Sequence, residues 1–235
     1  IIAGLHITIV DSTDAIACAF SYVSRIPLNK IKNILIIDFG CGFLDISCGV
    51  MGQGKYQCIS KVGERIGGED ITESIMSYLR KKLLEQYNKD IFLDLKEKSI
   101  IRKIAEKLKI DLTVSSTAYA ELDNIVEGNT ISLQMTRDEF ESIISHITER
   151  LEKNIIEALD NHGVPANEIG DVVIVGGSSR IPIIQKKVSN IFGNEKVNKM
   201  LNADEAASQG ATVYGAVSLH PEIIRDLQIN AQIEN

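Results

Sequence analysis

The stretch Asp171-Val172-Val173-Ile174-Val175-Gly176-Gly177-Ser178-Ser179-Arg180-Ile181-Pro182 decides how the chain is read. Four consecutive β-branched residues have the composition of a strand buried on both faces. Two glycines then supply a turn, and Pro182, with its fixed φ and missing N–H, suits the first position of a helix. Strand, glycine turn and helix in that order place bare backbone and helix N–H groups at one end of a sheet, which makes the segment a nucleotide-site candidate. Paired glycines admit a flat base to the backbone, and Arg180 has the side chain to stack on its face. The plain alternative is a close strand-to-helix connection.

Upstream, Asn33 to Val62 reads as a strand meander. Ile34-Leu35-Ile36-Ile37 is a short apolar run, Gly40-Cys41-Gly42 turns the chain, Phe43 to Met51 continues extended, and Gly52-Gln53-Gly54 turns it again. Within it, Asp38-Phe39-Gly40-Cys41-Gly42-Phe43-Leu44-Asp45 sets two carboxylates around a glycine hairpin. Glycines let backbone amides approach phosphate oxygens, and carboxylates hold the hydration shell of Mg2+ or orient an attacking water. Alone, the same pattern is an ordinary hairpin turn.

Next, Val62-Gly63-Glu64-Arg65-Ile66-Gly67-Gly68-Glu69-Asp70 opens a helix whose first-turn acids complement the helix dipole. Ile71, Ile75, Leu79 and Leu83 recur at helical spacing from Glu69 to about Tyr87, and Ile101, Ile104, Leu108 and Leu112 repeat it from Ser99 to Leu112. On that second helix Glu106, Lys109 and Thr113 share one face, for which a solvated face with one ion pair is the plain reading. Thr136-Arg137-Asp138-Glu139 is a capping box, and the helix it starts is expected to run to Gly163, with Pro165 beyond. Asp204 to Leu219 reads as a tightly packed helix, and the residues after His220 carry little apolar pattern.

Composition bounds the rest. The 235 residues are 44% hydrophobic and 24% charged with a net charge of -7, which excludes a disordered chain or a coiled coil and fits two packed units. Cations interspersed among acids give no extended positive field, so nucleic acid is not an expected partner. No apolar run has the length of a membrane span. Cys18, Cys41, Cys48 and Cys58 form no C-x-x-C pair, and His6, His146, His162 and His220 lie far apart, against a zinc site. Free thiols in a reducing compartment are expected, with the cytoplasm as the default location. The start at Ile1-Ile2-Ala3, without Met, reads as a cut inside a larger protein.

Taken in order, five segments resemble the seventy-kilodalton heat-shock chaperone family. They are the meander around Asp38 to Asp45, Ile66-Gly67-Gly68-Glu69-Asp70, the Glu106/Lys109/Thr113 helix, Val173 to Pro182, and Asn202-Ala203-Asp204-Glu205-Ala206. The likeness is to the C-terminal half, lobe II, of that family's actin-like ATPase domain, and it extends from Ala3-Gly4-Leu5 to about Leu219. It implies an α/β, ribonuclease-H-like lobe over residues 1–220, with 73–132 as an inserted helical plus small-sheet subdomain and 221–235 as a linker-like tail. It implies ATP or ADP with Mg2+. Asp38 and Asp45 match the family's catalytic acids, which hold the metal through water, and Gly40 and Gly42 its second phosphate loop. Gly67 and Gly68 match a hinge-side phosphate turn. Glu106, Lys109 and Thr113 match ribose and adenine contacts, Gly176, Gly177, Ser178 and Arg180 the adenosine loop, and Asp204 an acid close to the nucleoside. The implied partners are the N-terminal half of the same ATPase domain, a J-domain co-chaperone, a nucleotide-exchange factor and unfolded-protein clients, in a stress-response setting.

Departures from the pattern accompany the match. Cys41 replaces the middle glycine of the phosphate loop, Phe43 a threonine, and Ile110 an arginine that would sandwich adenine opposite Arg180. Ser12-Thr13-Asp14 replaces a Glu-Pro-Thr segment, and Arg225-Asp226-Leu227-Gln228-Ile229-Asn230 is less apolar than the family's leucine-rich linker. Two further readings therefore stand beside a chaperone ATPase. One is an atypical co-chaperone or exchange-type member that binds nucleotide weakly and does not hydrolyse it. The other is a sugar or acetate kinase on the same fold.

Overall fold

The run Ile34-Leu35-Ile36-Ile37 lies at the centre of a five-stranded sheet in the computed structural model of the chain, which describes residues 10–24, 30–52, 55–88, 90, 92–126 and 129–219. Ala3-Gly4-Leu5, His6, Gln53, Gly54, His220 and the tail 221–235 lie outside the described residues. β1 (Ile31–Phe39) pairs antiparallel with β2 (Leu44–Gly52), which pairs antiparallel with β3 (Lys55–Glu64). Two later strands, β6 (Ile169–Val175) and the short β7 (Val197–Asn198), add in parallel, giving the order β3-β2-β1-β6-β7.

A central strand needs apolar residues on both faces, and β1 has them. Ile34 and Ile36 join Val173 and Val175 against Ile16, Ala17 and Phe20 of helix α1 (Ser12–Ser24). Leu35, Ile37 and Phe39 join Leu44 and Ile46 in a second core on the other face. The sequence reading named no element for α1. Its signal is Asp11-Ser12-Thr13, because the Asp11 carboxylate accepts from the Thr13 N–H (3.1 Å) and hydroxyl (3.0 Å) and so caps the helix start. α7 (Ala206–Leu219) packs on α1 so closely that a Cβ at Gly210 would fall 1.7 Å from the Ala15 carbonyl oxygen.

Helices α2 (Gly68–Tyr87) and α3 (Leu95–Val114) form where the apolar spacing predicts them. Strands β4 (Thr117–Val126) and β5 (Asn129–Thr136) make a separate two-stranded sheet beside them. The single helix expected from Thr136 to Gly163 is two: α4 (Arg137–Ile143) and α5 (Ser145–His162). Both predicted caps are present, the Thr136/Glu139 box and Gly163 in the left-handed region at φ 75°. The break falls on Ile144, at φ -95° and ψ 9°, because one axis cannot serve both contacts. α4 anchors to α2 and α3, with Tyr78 donating to Glu139 (3.0 Å) and Arg137 to the Leu112 carbonyl (3.0 Å), whereas α5 lies across β2 and β3.

The quoted segment folds as read: β6, a short 3-10 turn over Gly177–Arg180, then α6 (Pro182–Phe192) with Pro182 in its first turn. Gly176 sits at φ 84°, where a Cβ would meet the Phe39 carbonyl carbon and oxygen at 2.4 Å. Gly177 has an ordinary φ and nothing nearer than 3.9 Å. We therefore expect Gly176→Ala to cost about 3 kcal/mol in urea denaturation and Gly177→Ala under about 1 kcal/mol. Equal losses would show that backbone geometry is not the constraint at this turn.

Candidate functional site

Three loops meet at the carbonyl of Gly40, one of them more than a hundred residues along the chain from the other two. The carbonyl accepts from the Gly68 N–H (3.0 Å) at the start of α2 and from the Ser178 hydroxyl (2.8 Å) in the turn before α6. One residue on, the Cys41 carbonyl accepts from the Glu69 N–H (2.8 Å). The contact requires bare backbone, since a Cβ on Gly67 would stand 2.2 Å from the Cys41 carbonyl oxygen. At Gly68 the Ser178 hydroxyl and the Lys109 ammonium lie 2.8 and 3.5 Å from where its Cβ would be.

Around this seam the hairpin 40–43 joins β1 to β2. Asp38 and Asp45 face each other across it in register. Burial raises the Asp38 carboxyl above its ordinary range, and the charge on Asp45 raises it further. Asp45 is raised by burial too, opposed by Lys61 and supported by Asp11. Two oxygen-donor groups that resist ionisation side by side suit a hydrated divalent cation. Among the described residues no cluster of three or more His, Cys, Asp or Glu side chains could hold a metal by itself, so such a cation would be held through water and ligand oxygens.

The remaining predicted residues occupy two flanks. On α3, Lys109 donates to the Gly68 carbonyl (3.0 Å), the Thr72 hydroxyl (3.0 Å) and Glu106 (2.8 Å), while Thr72 donates to Glu106 (2.7 Å). Burial raises the Glu106 carboxyl, but hydrogen bonds from Lys109 and Thr72 outweigh it and the carboxyl titrates below its ordinary range. Thr113 donates back to the Lys109 carbonyl (3.0 Å). The face that reads from sequence as one ion pair thus ties α3 to the first turn of α2. Thr72 was missed because its partners come from another helix. On the other flank Arg180 pairs with Asp204 (2.6 Å), and the Gly176 N–H donates to the Ala203 carbonyl (2.9 Å). Both members of that pair are more than half exposed, so the bond is weak and Arg180 is free to exchange it for another partner.

Gly42, with no atom within 4 Å of its Cβ position, sits at the hairpin tip beside Cys41 and Phe43, both exposed. Ile110 is 58% exposed next to Lys109. The bridge from Lys61 to Asp11, which ties β3 to the start of α1, joins residues fifty apart and has no signature in the sequence.

The sequence profile described as "Hsp70 protein" matches residues 1–231. The chaperone protein DnaK of Mycoplasmopsis agalactiae is 34% identical over 226 residues, covering 92% of this chain and 37% of that protein. The DnaK of Metamycoplasma hominis is 32% identical with the same coverage. The heat shock 70 kDa protein of Neurospora crassa is 28% identical over 219 residues, 92% of this chain and 34% of its own length. The chain spans little more than a third of the length of these relatives. With a profile match over almost its whole length and a mixed α/β sheet of the kind that match implies, the chain belongs to the Hsp70 family.

Proposed function

We propose that this chain is the second lobe of an Hsp70-type ATPase domain, binding ATP or ADP with Mg2+ and serving nucleotide-dependent protein folding. The observation that carries the reading is the seam at Gly40, where the hairpin 40–43, the turn 67–68 and the turn 177–180 converge. Family membership adds the expectation of nucleotide. Gly176, Gly177, Ser178 and Arg180 would take the adenosine, with Asp204 releasing Arg180 onto the base. Gly40, Gly42, Gly67 and Gly68 would shape the phosphate side. Glu106, Lys109 and Thr113 would border the ribose and adenine. Asp38 and Asp45 would hold the metal's water shell and orient the attacking water, so that phosphoryl transfer relies on positioning and electrostatics. Bound Mg2+ would supply neutralising charge to the phosphate oxygens.

Residues 1–220 form the lobe in this proposal, with 73–132 inserted and 221–235 as a tail; β4 and β5 form a sheet separate from the five-stranded one, as an insertion would. The N-terminal half of the ATPase domain, a J-domain co-chaperone, an exchange factor and unfolded clients follow as partners from the same reading. Four free cysteines fit the reducing cytoplasm, and no described helix is long and apolar enough to cross a membrane.

Two outcomes are expected. Calorimetry with Mg2+, on the chain alone and mixed with the N-terminal lobe of the Mycoplasmopsis agalactiae DnaK, should show ADP and ATP binding that Arg180→Ala weakens about tenfold. Absence of binding both alone and in the mixture would sink the reading. Asp38→Asn should lower Mg2+-dependent ATP affinity by at least about tenfold yet stabilise the ligand-free fold at neutral pH. The sign follows from the raised carboxyl: the folded state holds its proton more tightly than the unfolded state, so stability falls as pH rises above the ordinary value of 3.8, and Asn removes that loss. Urea denaturation from pH 4 to pH 8 reads the difference, which should close toward acid pH.

A further inference from the structure

A lobe that receives a polyphosphate must supply positive charge or free N–H groups, and most of its candidates are already engaged. At the start of α2 the N–H groups of Gly67, Gly68 and Glu69 donate to Asp70, Gly40 and Cys41. Lys109 commits three hydrogen bonds to Gly68, Thr72 and Glu106. Lys61 is bridged to Asp11, Arg180 to Asp204, and Arg102 to Glu69 and Glu73. The surroundings are acidic, with Asp38, Asp45, Glu69, Asp70, Glu106 and Asp204 all on these loops or the helix turns beside them. A phosphate tail meets repulsion there, which a protein cation would relieve alongside the proposed Mg2+.

Arg65 remains. It makes no ion pair or side-chain hydrogen bond among the described residues. Its place in the fold is defined. Leu44 and Glu64 form the last register pair of β2 and β3, so Phe43 and Arg65 are the next residues beyond the sheet on adjacent strands. The Ile66 N–H donates to the Glu64 carbonyl (3.0 Å), a three-residue turn with Arg65 at its apex. Two residues later Gly67 touches Cys41, which closes Arg65 into the same ring of loops. On the facing hairpin the N–H groups of Cys41, Gly42 and Phe43 make no hydrogen bond among the described residues.

We infer that Arg65 is a further phosphate-tail contact of this lobe, beside the hairpin 40–43 already given to the phosphates under the proposed function, with the guanidinium pairing to phosphate oxygens. This rests on the nucleotide reading above and refines it: Arg180 would answer to the nucleoside, Arg65 to the phosphates. A planar guanidinium binds phosphate through two parallel hydrogen bonds, which a lysine cannot reproduce. The residue thereby separates a nucleotide from its bare nucleoside.

The test is calorimetry with ATP, ADP and adenosine, on the chain alone and mixed with the same N-terminal lobe, for the parent chain, Arg65→Ala and Arg65→Lys. Arg65→Ala should weaken ATP and ADP about tenfold and leave adenosine unchanged, and Arg65→Lys should recover part of the loss. Thermal melting should not change, because Arg65 has no side-chain partner to lose among the described residues. If the parent binds ATP and Arg65→Ala binds it equally well, or loses adenosine in the same proportion, the inference falls while the nucleotide reading stands. If the parent binds none of the three, both fall.

Discussion

The Gly40 carbonyl is the point on which the molecule's arrangement depends. One oxygen with two acceptor positions satisfies an N–H from the start of α2 and a hydroxyl from the turn before α6. Each donor belongs to a segment with its own strand or helix, so this carbonyl sets the relative placement of β1, α2 and α6. The glycines on either side are consequences of that closeness. Gly67 is bare because the Cys41 carbonyl occupies its Cβ position, and Gly176 because Phe39 does. Gly67 and Gly176 thus share one physical cause, the close approach of backbones at the end of a sheet, whereas Gly42 and Gly177 have room for a side chain.

Charge around the seam follows the same logic. Asp70, Glu69, Glu106 and Asp204 each have a cation or an N–H donor close by, whereas burial raises both carboxyls of the facing pair Asp38 and Asp45, and the Asp45 charge raises Asp38 further. Lys109 shows how a helix cation is turned to internal use: its three bonds lock α3 onto the first turn of α2. The Arg180–Asp204 pair is the opposite case, exposed on both sides and therefore easily broken.

Three departures from the family pattern, Cys41, Phe43 and Ile110, sit where solvent is, whereas Thr13 of the Ser12-Thr13-Asp14 segment is buried. Phe43 is 59% exposed at the hairpin tip, and Cys41 and Ile110 are exposed as well. None of the three is part of either core, so the sheet and its seam form regardless of them, and their effect is confined to whatever approaches the loops. Cys48 differs: it lies in the core, and burial pushes its thiol up to about 12, the state of a packed, unreactive side chain.

Local chemistry was legible along the chain. The apolar run of β1, the β6–turn–α6 segment, the spacing of α2 and α3, the Thr136/Glu139 box and the Gly163 stop are each decided by residues within one or two turns of one another, and each appears as read. What the chain did not disclose depends on partners distant in sequence. The break at Ile144 comes from two packing surfaces that pull α4 and α5 onto different neighbours, and α1 went unread because its apolar face is completed by the sheet and α7. Thr72, Lys61 and the amides of Gly68 and Glu69 meet partners across the fold. Sequence by itself determined which segments become strands, turns and helices, because propensity and capping act over a few residues. Only the tertiary structure decided which polar groups were used inside the protein and which, like the Arg65 side chain and the 41–43 amides, have no partner among the described residues, because hydrogen bonds are assigned by three-dimensional proximity.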